Sequence, residues 1–320
     1  MKEETNEPKI NLGNEIKAKR RKIYFGAFIG LSIILAIGLL YVVVVAVGLY
    51  GFNWRYNFVK KTASIVPYPA GWVGAFPIKF SEVFNEEAPA KKFYTQTGAP
   101  VPKEATLEKQ AIDFLTRVKI IQQYAAIYRV SVPVKDVNDS LNKLYEENGG
   151  KQTFEQILAQ YYGYSSSDIY RLVYLSLMQQ KLNDYYDGEV LRQAQLSQVL
   201  LDKEARAKDI LAKAKKGDNF SDLAKNNSLD KKTKDKGGDL GYFTKDNLYK
   251  VIAKSTDVDK NLLSDFQNKI WSAKSGDVFM FKTDFGYQVI KVDGFKGTEE
   301  KTFEDWLQEK IGKGFVLHFV

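Results

Sequence analysis

The stretch that decides the fold is Gly237-Gly238-Asp239-Leu240-Gly241-Tyr242-Phe243, a short strand bent by three glycines. Glycine inside a strand marks a bend or a close approach of two backbones. The neighbouring segments alternate between strand and helix periodicity. They are a strand at 196–201, helices at 204–216, 220–224 and 266–272, and strands at 278–283 and 287–293. The last two strands meet at Asp284-Phe285-Gly286, a hairpin signal. The sequence from about residue 195 onward therefore predicts a mixed α/β domain.

The region before this domain is helical. Apolar residues recur every three or four positions, which predicts helices at 106–128, 135–147, 154–162 and 167–186. Gly149-Gly150 ends the second helix, and Thr153 with Gln156 forms a capping box for the third. Short loops favour a bundle in which the four helices bury a shared apolar side. The apolar stripes are either this core or, where exposed, a surface that binds peptides.

Residues 23–53 contain no charged side chain and predict a membrane-spanning helix over 23–52. At about 1.5 Å per helical residue, the run exceeds the roughly 30 Å hydrocarbon core of a bilayer. The alternative is a secretory signal peptide, but the run is longer than such an apolar region and no A-x-A site follows. Five basic residues in 17–22 precede the run and three in 55–61 follow it, which predicts a cytoplasmic N-terminus.

Between the apolar run and the helices, residues 55–104 predict a connector. It contains a short strand at 76–80 and a helix that begins at Glu82 after a Ser81 cap. At the other end of the chain, 315–320 is an apolar, strand-like run that needs a partner edge. We expect that partner to be the strand at 76–80.

Composition excludes several classes of function. The chain has no cysteine, which excludes disulfides, thiolate metal sites and a cysteine nucleophile, and its single histidine is His318. We therefore expect no metal and no cofactor. The net charge of +8 is spread along 320 residues, which argues against a nucleic-acid binder, because such a protein concentrates basic residues in one patch.

Five stretches together resemble the parvulin (PpiC, rotamase) family of peptidyl-prolyl isomerases. They are LSQVLL (196–201), NFSDLAKNNSLD (219–230), GGDLGYF (237–243), SAKSGDV (272–278) and FGYQVIKV (285–292), in the family's order. Two further stretches, 132–150 and 153–173, are similar to the helical chaperone domain of SurA/PrsA-type foldases. The tail, 301–320, looks like the helix and strand that fold back onto that domain. The fold class implied is α+β: an N-terminal transmembrane helix, a helical chaperone domain, and a parvulin domain with a four-stranded antiparallel sheet and surrounding helices.

The resemblance also implies the site. The proline slot corresponds to Leu240, Leu248 and Phe266, with Thr283 and Phe285 at its rim, and the catalytic positions to Asp230, Gln198 and Gln288. The family usually has histidine at the two glutamine positions. Ordinary core packing is the alternative for Leu240 and Phe266, and a turn or cap for Asp230. Residues 249–265 include an insertion of about a dozen residues that alters one wall of the slot.

Five segments follow from these features: a disordered cytoplasmic tail (1–22), a transmembrane helix (23–52), a linker and chaperone domain (53–194), a parvulin domain (195–296), and a C-terminal helix and strand docked on the chaperone domain (297–320). The function implied is a membrane-anchored, extracytoplasmic foldase that isomerises X-Pro bonds in unfolded clients, with activity weakened by the two glutamines. The alternative is a non-catalytic holdase that uses a degenerate parvulin domain to bind peptides.

Overall fold

The computed structural model describes the backbone of residues 12–254, 258–313 and 316–318, and the side chains from Phe28 to Gly312 within those ranges. The helices are α1 Leu12–Gly51, α2 Asn57–Ile65, α3 Phe80–Thr97, α4 Glu104–Ile127, α5 Val134–Glu147, α6 Lys151–Tyr161, α7 Ser166–Tyr185, α8 Glu204–Lys215, α9 Phe220–Asn227, α10 Tyr249–Ile252, α11 Lys260–Trp271 and α12 Phe303–Lys313. The strands are β1 Pro69–Val73, β2 Phe76–Lys79, β3 Gln193–Leu201, β4 Asp239–Phe243, β5 Val278–Thr283, β6 Gly286–Lys296 and β7 Val316–His318. The fold is mixed α+β, as the sequence predicts.

The chain divides into two compact units. The first comprises residues 1–119, 155–165 and 315–320, and the second comprises residues 120–154 and 166–314. Each unit is therefore assembled from segments that are distant in the chain. The five linear segments named above stay a prediction.

The first unit contains α1 to α3 and a small antiparallel sheet in the order β2-β1-β7. The tail strand β7 pairs with β1, with Gly71 opposite His318, whereas β2 pairs with the other edge of β1. The expectation that 76–80 pairs with the tail is therefore wrong. The sequence signal for β1 was masked by its prolines, one of which, Pro69, begins the strand.

Helix α3 begins earlier than the expected Ser81 cap. It starts at Phe80, and the Glu82 carboxylate accepts a hydrogen bond from the Lys79 backbone N–H at 2.8 Å. The helix continues through Pro89 to Thr97 and ends at Gly98 in the left-handed conformation. The helix starts earlier because the Glu82 carboxylate satisfies the backbone N–H of Lys79, which would otherwise lack a partner at the helix N-terminus.

Helix α1 is long and apolar enough, from Phe28 to Gly51, to cross a membrane. Its helical backbone begins at Leu12, so the basic cluster at 17–22 is helical and the expectation of a disordered tail over 1–22 is wrong for residues 12–22. Residues 1–11 lie outside the described part of the chain.

The four predicted helices of the 106–187 region are present as α4 to α7, but they do not form one bundle. Helix α5 lies against α7, where the Lys181 Nζ is 2.7 Å from the Asp136 carboxylate. Helix α6 buries no residue, and most of it belongs to the first unit. Its apolar side chains Phe154, Ile157, Leu158 and Tyr161 nevertheless recur at helical spacing, so the sequence pattern alone does not show that α6 stays out of a core.

The second unit is built around a four-stranded antiparallel sheet in the order β4-β3-β6-β5. Side chains alternate between its two faces because strand periodicity is two. One face, with Leu196 and Ile290, packs on α10 and α11; the other, with Val199 and Val289, packs on α8 and α9. Helix α11 begins at Lys260, six residues before the predicted start, because the Asp259 carboxylate caps it by accepting the Asn261 N–H at 2.7 Å.

Candidate active site

Two glutamines meet inside the second unit because of the register of its central strands. Gln198 lies on β3 and Gln288 on β6, which are antiparallel neighbours, with Gln198 opposite Ile290 and Leu200 opposite Gln288. Both glutamines are on the face that packs against α10 and α11, and they are 6% and 2% exposed. A polar pair has thus been placed inside an apolar layer, where it must find hydrogen-bond partners.

These partners form a continuous chain. Gln288 Nε2 donates to Gln198 Oε1 at 2.6 Å and to the Val251 carbonyl at 3.0 Å. Gln198 Nε2 donates to Asp230 Oδ2 at 2.8 Å. An ionised carboxylate only accepts, so Gln198 must present its NH₂ to Asp230 and its oxygen to Gln288. The direction of each hydrogen bond is therefore fixed: Gln198 donates to Asp230, and Gln288 donates to both Gln198 and Val251.

The direction of these hydrogen bonds leaves one buried oxygen atom without a partner. Because Gln288 uses its NH₂ for both bonds, its Oε1 atom is buried with no hydrogen-bond partner. An unpaired buried acceptor costs roughly 1–3 kcal/mol. The Gln288 NH₂ donates to two acceptors, so the amide cannot turn over without losing both hydrogen bonds. Oε1 therefore stays without a partner.

Asp230 is the outer end of the chain. Its carboxylate also accepts hydrogen bonds from the Thr233 hydroxyl at 2.5 Å and the Lys232 backbone N–H at 3.0 Å. Burial disfavours the charged form, but the hydrogen bonds from Thr233, the Lys232 N–H and Gln198 outweigh it and lower the pKa of Asp230 below its ordinary value. Asp230 is half-buried, so its negative charge lies between the solvent and the glutamine pair.

The three residues expected to line the proline slot are brought together next to the glutamines. Leu248 and Phe266 are fully buried, and Leu240 is half-buried against them. The Phe266 ring packs edge-on against Phe281, with centroids 4.8 Å apart. In this structure Leu248 and Phe266 are members of the hydrophobic core, which is the alternative that the sequence left open for Phe266.

Thr283 and Phe285 lie at the β5–β6 turn. The Thr283 hydroxyl donates to the Gly286 carbonyl at 3.1 Å and accepts from the Phe285 N–H at 3.3 Å. The Phe285 side chain is 39% exposed, and Lys254 Nζ lies 5.9 Å from its ring centroid. Thr283 thus stabilises the turn, and Phe285 offers an apolar ring to the solvent.

Sequence reasoning missed two members of this cluster. Thr233 carried a signal, since a hydroxyl three residues after an aspartate is suited to a local turn. The Val251 carbonyl carried none, because a backbone acceptor has no side-chain signature. It belongs to α10, inside the insertion at 249–265, and the Asp284 N–H donates to the adjacent Ile252 carbonyl at 3.1 Å. The insertion therefore contacts both the glutamine pair and the β5–β6 turn.

A family model described as "PPIC-type PPIASE domain" matches residues 186–296. These residues form a parvulin-type domain. Its bounds enclose the sheet, the glutamine pair and Asp230. The predicted start at 195 excluded the first strand residues, since β3 begins at Gln193.

Sequence similarity to known proteins extends beyond the parvulin-type domain. The foldase protein PrsA of Caldanaerobacter subterraneus subsp. tengcongensis is 28% identical over 233 residues, 68% of this chain and 64% of that protein. PrsA of Geobacillus kaustophilus is 31% identical over 136 residues, 42% of each chain. The chain thus spans less than two thirds of the length of these relatives. It carries a parvulin-type domain of the PrsA type.

Two solved structures are similar to parts of this chain. Peptidylprolyl isomerase (PrsA) from Bacillus anthracis is 21% identical, with 62% of this chain and 84% of that chain covered and a TM-score of 0.28. The parvulin of Nitrosopumilus maritimus is 31% identical, with 32% of this chain and 97% of that chain covered and a TM-score of 0.25.

Proposed function

We propose that this chain is a membrane-anchored foldase that accelerates cis-trans isomerisation of X-Pro bonds in unfolded client polypeptides outside the cytoplasm. Its catalytic residue would be Asp230, and Gln198 and Gln288 would be the residues that position it. The observation that carries the proposal is the hydrogen-bond chain from Asp230 through Gln198 to Gln288, inside a parvulin-type domain.

The chemistry needs no covalent intermediate. The planar amide draws negative charge onto its carbonyl oxygen by resonance, and the barrier to rotation is about 18–20 kcal/mol. Twisting the bond removes this resonance, so the oxygen becomes less negative. A fixed carboxylate beside that oxygen repels the planar form more than the twisted form, which lowers the barrier. Asp230 is half-buried and ionised, and its three hydrogen bonds hold it in place.

Gln198 and Gln288 would act by positioning rather than by proton transfer. Glutamine has no titration near neutral pH, and no proton is transferred in this reaction. Gln198 orients Asp230, and Gln288 orients Gln198. Because glutamine can neither titrate near neutral pH nor change tautomer as histidine does, we expect the activity to be weaker than that of parvulins with histidine at these two positions.

The client side of the site would be the apolar surface around Leu240 and the Phe285 ring, with Thr283 holding the turn on which Phe285 lies. Leu248 and Phe266 would support this surface from beneath, since both are fully buried. An X-Pro segment in an unfolded chain is the partner that this combination of apolar surface and fixed carboxylate fits.

The anchoring part of the proposal rests on α1. Its Phe28–Gly51 portion is long and apolar enough to span a bilayer, and the basic residues at 17–22 favour a cytoplasmic N-terminus. Residues after about 55 would then lie outside the cytoplasmic membrane, where newly translocated clients are unfolded.

A refolding assay tests the enzyme proposal. The full chain in nanodiscs should accelerate the proline-limited refolding phase of a model client. Asp230→Asn should reduce this acceleration by about tenfold or more, because it removes the fixed charge. Asp235→Asn is the matched control: it is exposed, lies in the same loop region, and should leave the rate unchanged. Equal rates for the two variants would contradict the role of Asp230.

The second candidate is a non-catalytic holdase. The full burial of Leu248 and Phe266 favours it, because neither side chain is open to a client in this structure. This function predicts that the wild-type chain leaves the proline-limited phase unchanged but still suppresses aggregation of a proline-free client. The refolding and aggregation assays together separate the two functions.

A further inference from the structure

The apolar run of α1 is longer than a bilayer requires, and its surplus lies in the folded first unit. About 20 helical residues cross the hydrocarbon core, so a span that begins at residue 23 ends near Val42. Beyond that point α1 continues to Gly51 with one face packed in a protein core, where Val45 and Leu49 are almost fully buried, while Val43, Val44 and Val47 remain about half exposed. Every described residue from Phe28 to Leu40 is exposed. One face of the helix thus becomes packed from about Tyr41 onward.

Helix α2 runs back along this packed end of α1. Next to α2, Trp54 lies on α1 at Gly48, where an added Cβ would be 2.1 Å from Trp54 Cε3 and no larger residue would fit. Eight residues later, the Thr62 hydroxyl is hydrogen-bonded to the Tyr41 hydroxyl at 2.9 Å. As the chain advances from 54 to 62, its partner on α1 moves back from 48 to 41. The two helices are therefore antiparallel, and α2 descends toward the exposed part of α1.

The end of α2 consequently reaches the level of the exposed rod. Ile65 lies three residues beyond Thr62, about 4.5 Å further down, opposite about residues 37–40 of α1. The next contact lies nearer the C-terminal end of α1 again: the Tyr68 hydroxyl donates to the Val42 carbonyl at 2.9 Å. The turn at 64–67 joins α2 to β1 and is thus the part of this segment nearest to the exposed portion of α1. We call residues 52–67 the α2 arm and this turn its lowest point.

This lowest point is apolar. Ile65 is 84% exposed, the highest value among the large hydrophobic residues exposed in the described part of the chain, and Pro67 is exposed beside it. Lys61 is exposed one turn higher on α2, and Tyr41 is 46% exposed at the same level on α1. An apolar tip with a cation and a tyrosine one turn above it matches the layers of a bilayer surface: acyl chains, then headgroups.

We propose that the α2–β1 turn, residues 64–67, inserts Ile65 into the outer leaflet of the bilayer next to α1. This inference rests on the proposed anchoring of α1. The occupant is the lipid bilayer, because the turn lies level with the α1 surface that the bilayer would cover, so one apolar surface continues into the other. The foldase would then be held at the membrane by two contacts, α1 and the turn at 64–67. Two contacts fix the orientation of the first unit, whereas α1 alone would leave the unit free to rotate.

Because the chain has no cysteine, single-cysteine variants label cleanly. We would attach a nitroxide to Ile65→Cys, Phe52→Cys and Ile34→Cys in the full chain, in nanodiscs of phosphatidylglycerol and phosphatidylcholine. The measurement is relaxation by oxygen, which partitions into lipid, against a water-soluble nickel complex. Phe52 is the matched control: it is 69% exposed and lies at the opposite end of the same arm.

The proposal expects the Ile65 and Ile34 probes to be relaxed mainly by oxygen, and the Phe52 probe mainly by nickel. A nickel-accessible Ile65 probe with an oxygen-accessible Ile34 probe would overturn the insertion and leave the anchor standing. Nickel access at Ile34 would overturn the anchor, and the insertion with it. Oxygen access at all three positions would overturn the orientation of the arm. Since all three side chains are exposed, the variants should fold.

Discussion

At the scale of single residues, the hydrogen-bond chain of the candidate site contains one ionisable side chain, which is a carboxyl group. Asp230 is the ionisable member of the hydrogen-bond chain, and the rest of that chain is amide, hydroxyl and backbone. Its pKa is lowered in the folded chain, so it binds fewer protons than in the unfolded chain. The stabilisation is therefore fully present above the unfolded pKa of about 3.9, and is lost as the pH falls through the folded value.

We predict that the isomerisation rate is flat between about pH 6 and 8, because Asp230 stays ionised throughout. The check is a pH series of the proline-limited refolding assay, with the uncatalysed rate subtracted. Below about pH 4, the Asp230→Asn variant should lose less stability than the wild type, since it lacks this proton-linked contribution. A rate that changes severalfold near pH 6.5 would show that a titrating group controls the reaction.

The glutamine pair makes a second prediction at this scale. Gln288→Leu removes the donor to Gln198 Oε1 and to the Val251 carbonyl, so it should lower the free energy of unfolding by about 1–3 kcal/mol. Gln198→Leu should cost a similar amount, and the double variant should cost less than the two singles added together, because the pair is then removed as a unit. Native-state hydrogen exchange of β6 amides measures all three. Strict additivity would mean that the two amides do not interact.

At the scale of elements, the turn that leads into β4 is set by a close approach to β3. Gly238 has a φ of +87°, and a Cβ there would be 2.3 Å from the Gln198 carbonyl oxygen. The backbones are tied at this point, since the Gln198 N–H donates to the Gly238 carbonyl at 2.8 Å. The glycine is thus what allows β3 to present Gln198 in its observed position.

We predict that Gly238→Ala destabilises the parvulin domain by several kcal/mol, and that Gly241→Ala costs only about 1 kcal/mol. Gly241 is the matched control, because its φ is +84° but its Cβ would meet open space. Both variants have the same strained backbone, so the difference isolates the clash. Urea unfolding of the two variants, followed by hydrogen exchange in β3, gives the measurement. Equal losses would show that the close approach is relieved easily.

At the scale of the whole molecule, the proposed topology places nearly all of the folded chain on one side of a membrane. We predict that protease added to intact, wall-stripped cells digests the chain beyond about residue 55 and spares only the N-terminal segment with α1. The basic residues at 17–22 are the reason for this orientation. The control is proteolysis after the cells have been disrupted. The protease should then also digest the residues that precede α1, because they are no longer shielded inside the cell. Protection of the entire chain in intact cells would reverse the topology.

The sequence by itself determined the elements whose signals are local. The glycine-bent β4, the β5–β6 hairpin, the apolar α1 and the helical periodicity of 106–187 each depend on neighbouring residues, and all are present in the structure. The family's motifs also located Asp230, Gln198 and Gln288. Tertiary structure alone decided what links distant segments: the pairing of β7 with β1, the exclusion of α6 from a bundle, and the Val251 carbonyl as a partner of Gln288. The physical reason is that strand pairing and burial depend on which surfaces meet in space, and a backbone carbonyl is the same in every residue.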